Sequence, residues 1–170
     1  IRTITLPREV KRPNTLIANF IFDEQNTDFS TSAHASCDNM YVYMADTTNP
    51  GIIVYDAARD SAWRLQHPKM YPDPDYGTYR VAGEYYSLMD GILGLAVAAS
   101  HNFQKSLYFQ AFASTRLFSV PIAELLRGPN PGDDSDLPVT LAGHKSSQSA
   151  ALCTDFRDGS LVFSPVTETA

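Results

Sequence analysis

Hydrophobic residues in this chain fall in short runs broken by polar corners rich in Gly, Pro, Asn and Asp, a pattern of strands and turns rather than of amphipathic helices. Thr15 to Phe22 predicts a first strand, and the polar segment from Asp23 to Asn39 predicts a surface loop. Met40–Asp46 and Gly51–Asp56 are β-rich runs on either side of Thr47-Thr48-Asn49-Pro50, which reads as a hairpin turn. The turn Ala57–Asp60 then leads into Ser61–Leu65, completing a unit of four strands.

A proline-marked excursion, His67–Gly77, separates this unit from the next. Tyr79 to Tyr86 reads as one outer or connecting strand, followed by strands at Gly91–Ala98, Ser106–Phe112 and Arg116–Val120. Pro121–Arg127 has helical spacing with proline at its start, which predicts a single short helix ended by Gly128-Pro129. Leu137–Ala142 closes the unit. A third opens with Ser149–Asp155 and Ser160–Val166 and has only these two strands, so the chain is expected to be part of a longer one. At the amino end, Pro7 and Pro13 bracket a basic segment that they are expected to hold extended.

The order of parts repeats. Asn14-Thr15-Leu16, Asp90-Gly91-Ile92 and Gln148-Ser149-Ala150 each set a polar corner before a strand of mainly small or aliphatic residues. Aromatic or bulky strands follow at Tyr41–Met44, Leu107–Gln110 and Leu161–Ser164. Small side chains suit a strand crowded near an axis, and larger ones fill the wedge between neighbouring units. The predicted class is therefore all-β, a β-propeller of which this chain holds about two to three four-stranded blades, at approximately 15–66, 79–143 and an incomplete 149–170. A β-sandwich is the competing all-β reading.

Composition narrows the function classes. The chain has 170 residues, is 44% hydrophobic and carries a net charge of −6, so it is a globular sequence without the basic footprint that nucleic acid demands. No apolar run is long enough to span a bilayer, and any secretion signal is expected to lie outside these residues. Cys37 and Cys153 lack Cys-x-x-Cys spacing; they pair with each other, pair elsewhere or stay free. His34, His101 and His144 have no partner spacing of a metal site, and no nucleophile elbow or phosphate loop occurs, so neither metal nor cofactor is expected.

The ordered motifs Ala45-Asp46, Ile53-Val54-Tyr55-Asp56, Ser61-Ala62-Trp63-Arg64, Asp90-Gly91-Ile92-Leu93-Gly94-Leu95-Ala96, Leu107-Tyr108-Phe109, Ala113-Ser114-Thr115 and Ser147-Gln148-Ser149-Ala150 resemble the Yellow and major royal jelly protein family. The resemblance runs from about Arg12 to Thr169. It implies a secreted, insect-type six-bladed propeller whose remaining blades belong to the same longer chain. It further implies a role on dopachrome-like indole-quinones in melanin pathways, binding of biogenic amines such as serotonin and dopamine, or royal-jelly-type storage.

In a propeller, the corner that enters each inner strand lies at the mouth of the central channel, where polar groups around an apolar lining make a small-molecule site. Asn14, Tyr85, Asp90, Gln148 and Ser149 are accordingly the candidate ligand residues, the partner being a small aromatic molecule or indole-quinone. For turnover the candidates are Asp90 or His67 as acid or base, with Arg12 holding a carboxylate. Each has a structural alternative. Asp90 caps its turn through the backbone, His67 sits in an exposed loop, and Tyr85, Tyr86 and Trp63 pack between blades.

Overall fold

A computed structural model describes residues 3–24, 39–99, 104–128, 136–155 and 157–168. His34, Cys37 and His101 lie outside the described residues. The first sheet is an antiparallel meander of β1 (Ile17–Glu24), β2 (Met40–Asp46), β3 (Gly51–Asp56) and β4 (Ser61–Leu65), in that spatial order. The second repeats the plan with β7 (Ile92–Ala99), β8 (Lys105–Ala111), β9 (Arg116–Pro121) and β10 (Thr140–His144), with the one-turn helix α1 (Ile122–Leu125) between the last two. A hairpin of β11 (Ser149–Thr154) and β12 (Leu161–Pro165) begins a third sheet.

The first strands of the sheets stand side by side, with β7 between β1 and β11. That is the radial arrangement of propeller blades, and it explains the small-residue run Gly94-Leu95-Ala96-Val97-Ala98 in β7, which is crowded from both sides. The wedge between the first two blades is filled by one core. Tyr43, Ile52, Val54, Trp63 and Leu65 of the first pack with Leu95, Leu107, Phe109, Phe118 and Val120 of the second. A smaller cluster of Ala96, Leu117 and Leu152 joins the second blade to the third.

Trp63 fills the wedge as its size predicts, and its indole Nε1 donates to the Leu125 carbonyl oxygen in α1 at 3.0 Å. The bond crosses from one blade to the next. Trp63→Phe is expected to cost about 1–2 kcal/mol, from the lost inter-blade hydrogen bond and part of the ring contact. Urea unfolding followed by far-UV circular dichroism checks this, because Trp63 is the single tryptophan of the sequence and the variant removes its fluorescence.

Two local expectations are corrected. Tyr79–Tyr86 is not one strand but a hairpin, β5 (Thr78–Val81) and β6 (Glu84–Ser87), forming a separate two-stranded sheet. Its turn residues Ala82 (φ 52°) and Gly83 (φ 94°) both have positive φ, the backbone that matches the twist of two-residue hairpins. An Asn-Gly or Asp-Gly pair would have announced such a turn; Ala82 hides it. The basic segment between Pro7 and Pro13 is also turned rather than extended, with the Val10 and Lys11 amides donating to the Pro7 carbonyl and Val10 buried.

Candidate ligand site at the strand corners

The turns after β2 and β8 and the corners entering β1, β7 and β11 share one end of the sheets, and main-chain hydrogen bonds weld them together. In the first blade the Thr47 amide donates to the Leu16 carbonyl at 3.1 Å, and the Gly91 amide reaches across to the Thr47 carbonyl at 3.2 Å. The same corner holds a buried ion pair. Arg64 Nη1 lies 3.0 Å from Asp46 Oδ2, while Asp46 Oδ1 accepts from the Leu16 amide at 3.2 Å and the Asn49 amide at 3.1 Å.

In the second blade the turn Phe112–Thr115 is the hub. The Phe112 and Ala113 amides donate to the carbonyls of Gly91 (2.9 Å) and Asp90 (3.2 Å), and the Lys145 amide donates to the Thr115 carbonyl at 2.7 Å. The β5–β6 hairpin projects beside this hub. Tyr79 meets Phe112 edge-on at 5.3 Å and stacks on Tyr86 at 5.8 Å. On the other face of the hairpin, Arg80 lies over the Tyr85 ring at 5.5 Å. Tyr85 is 73% and Tyr86 50% exposed, so neither packs between the blades that this chain contains.

The polar residues predicted for the site divide by how they are engaged. Gln148 is buried, its Nε2 donating to the Tyr76 carbonyl at 2.9 Å and thereby fastening the third corner to the base of the hairpin. Ser149 is fully buried; its hydroxyl donates to the Ala151 carbonyl and accepts from Gln110. Asn14 is exposed, in a left-handed turn conformation of φ 63°. Arg12 is exposed, and its guanidinium donates to Gln66 Oε1 at 3.1 Å. His67 is buried rather than exposed in a loop: its Nδ1 accepts from the Lys69 amide at 3.1 Å and caps the 3-10 turn Pro68–Met70.

Asp90 differs from these. It is half-buried, its main-chain carbonyl is taken by Ala113, and its carboxylate makes no hydrogen bond or ion pair among the described residues. The turn is held by backbone bonds without it, so the capping role expected from the Asp-Gly pair is not what its side chain does.

Sequence reasoning passed over four residues. Gln110 reaches from β8 to β11, with its Nε2 within 3.1 Å of the Ser149 and Ala151 carbonyls. Asp46 and Arg64 pair only in the folded blade. Lys145 is buried with its Nζ unpartnered, and burial lowers its pKa to about 8. No spacing distinguishes Lys145 from an ordinary surface lysine in the polar stretch His144–Gln148; only the tertiary enclosure does.

Residues 1–170 match the family model described as Major royal jelly protein. The chain belongs to the major royal jelly protein family. It is 33% identical over 138 residues to Protein yellow of Drosophila erecta, covering 79% of this chain and 24% of that protein. Protein yellow of Drosophila melanogaster gives the same identity and coverage. Major royal jelly protein 9 of Apis mellifera is 31% identical over 159 residues, 89% of this chain and 37% of that protein. The chain thus spans about a quarter to just over a third of the length of these relatives. Its two complete sheets and the opening hairpin of a third are blades of the royal jelly protein β-propeller. Among the described residues, no helix is long and apolar enough to cross a membrane.

Proposed function

We propose that this royal jelly family chain contributes to a secreted propeller that binds a small aromatic amine at its corner face. The observation that carries the reading is the Asp90 carboxylate, half-buried and without a partner among the described residues, on a residue whose backbone is tied to the Phe112 turn against which the aromatic hairpin packs. A carboxylate answers the ammonium, the tyrosine and phenylalanine rings answer the aromatic part, and the net charge of −6 favours a cation at long range.

The same carboxylate has the chemistry to take a proton from an indole-quinone such as dopachrome, as a pigmentation role would require. Such turnover needs assisting groups, and Arg12 is held by Gln66 while His67 is engaged by the Lys69 amide. Binding is therefore the better-supported reading. Calorimetric titration of the full-length protein with dopamine and tyramine is expected to give saturable heat, and Asp90→Asn to weaken binding by about 10- to 100-fold, the worth of one charge-assisted hydrogen bond. Flat traces for the unmodified protein would overturn the reading. Dopachrome decay faster than its spontaneous rate, and slowed again in Asp90→Asn, would move the assignment to catalysis. Secretion is checked by recovery of the full-length protein from the medium of expressing insect cells.

A further inference from the structure

Two opposite groups without partners are fastened to one turn. The Asp90 carbonyl accepts from the Ala113 amide at 3.2 Å, and the Lys145 amide donates to the Thr115 carbonyl at 2.7 Å, so both backbones are anchored within the turn Phe112–Thr115. Among the described residues the Asp90 carboxylate is unpaired, and the Lys145 Nζ is buried with no hydrogen-bond partner. They do not satisfy each other. Among the described residues no carboxylate, Asp90 included, pairs with the Lys145 amine, and burial lowers its pKa. An amine taken out of water with no anion beside it is costly, and a well-placed carboxylate offsets part of that cost. The four-carbon stem of lysine lets the amine swing to such a partner without moving the backbone.

We infer that Lys145 is the carboxylate-selecting residue of the corner site, so that the preferred ligand is an aromatic zwitterion carrying both an ammonium for Asp90 and a carboxylate for Lys145, such as an aromatic α-amino acid. This rests on the reading of Asp90 as the ammonium site and adds a second pole to it. Gln148 braces the arrangement by tying the corner after Lys145 to the Tyr76 carbonyl, and the Leu88 amide donates to the Gly77 carbonyl at 2.8 Å on the Asp90 side of the hairpin.

The test compares tyrosine with tyramine, which share the ring and the ammonium and differ by the carboxylate. Full-length protein is expected to bind tyrosine at least 10-fold more tightly than tyramine. Lys145→Met should erase that preference, weakening tyrosine about 10-fold and leaving tyramine within about two-fold, and Lys145→Arg should keep the preference. A second readout follows the 13Cε signal of Lys145 by NMR: its titration midpoint, about 8 without ligand, should rise with tyrosine and stay put with tyramine. Tyramine bound as tightly as tyrosine by the unmodified protein, or an undiminished preference in Lys145→Met, overturns the role of Lys145 and leaves the amine site standing. Absence of binding by either ligand overturns both.

Discussion

Asp46→Ala is expected to destabilise the full-length protein by about 3–5 kcal/mol, the largest effect of any single substitution at the corners, because it strands a buried guanidinium. Asp46 is fully buried and Arg64 has only 5% of its side chain exposed. Besides its contact with Asp46, Arg64 Nη1 donates to the Val10 carbonyl at 3.3 Å and Nη2 to the Asn49 carbonyl, while Nε has no partner. Removing the carboxylate leaves the positive charge facing carbonyl dipoles alone. It also releases the Leu16 and Asn49 amides, which join the entry of β1 to the turn after β2. Pairing the change with Arg64→Met removes the stranded charge, so the double variant should recover a large part of the loss. Urea denaturation of both variants measures the difference. If Asp46→Ala and the double variant unfold at the same midpoint, the ion pair is not what holds this corner.

Gly94→Ala is the second large effect, expected at about 2–4 kcal/mol from overpacking together with displaced hydrogen bonds. A Cβ on Gly94 would lie 2.7 Å from Gln110 Nε2, 2.8 Å from Gln110 Cγ and 2.9 Å from the Ala150 carbonyl oxygen. The first two belong to a fully buried side chain, the third to the backbone of the neighbouring blade, so there is no easy direction of retreat. Gln110 uses the gap over Gly94 to reach the Ser149 hydroxyl at 3.2 Å and the Ala151 carbonyl at 3.1 Å. Even one methyl group at that position therefore presses on the tie between the second and third blades. Gly143→Ala is the matched control, since nothing lies within 4 Å of its Cβ position, and it should stay within about 0.5 kcal/mol of the parent. Thermal unfolding of the pair decides the matter; equal midpoints for Gly94→Ala and Gly143→Ala would mean that the close approach does not constrain the strand.

Strand identity was legible wherever a run of apolar residues was bounded by polar turns. The predicted Met40–Asp46, Gly51–Asp56 and Ser61–Leu65 coincide with β2, β3 and β4, because burial of alternating or continuous apolar residues leaves few other pairings. The β5–β6 hairpin was illegible for the opposite reason. Its aromatic residues look like core, yet the whole of β6 is exposed, and its turn uses an alanine where side-chain chemistry gives no warning.

The corner residues show the same division. Asn14, Asp90 and Gln148 were recognisable as corners from their position before each inner strand, but the duties of their side chains were not. Gln148 proved to be a buried brace and Asp90, among the described residues, an unengaged carboxylate, a distinction that depends on whether a suitable partner from a distant part of the chain lies within reach.

The sequence by itself determined the class and the repeat: strand periodicity, turn residues and the recurrence of corner, small strand and aromatic strand are local properties that survive in a linear reading. The tertiary structure alone decided which charges are paired, which are stranded and which rings face water. Asp46 meets Arg64 across 18 positions, Gln110 meets Ser149 across 39, and Asp90 and Lys145 meet one turn from opposite sides of it along the chain. Partnership and burial are relations among distant residues, and they arise only when the blades close against one another.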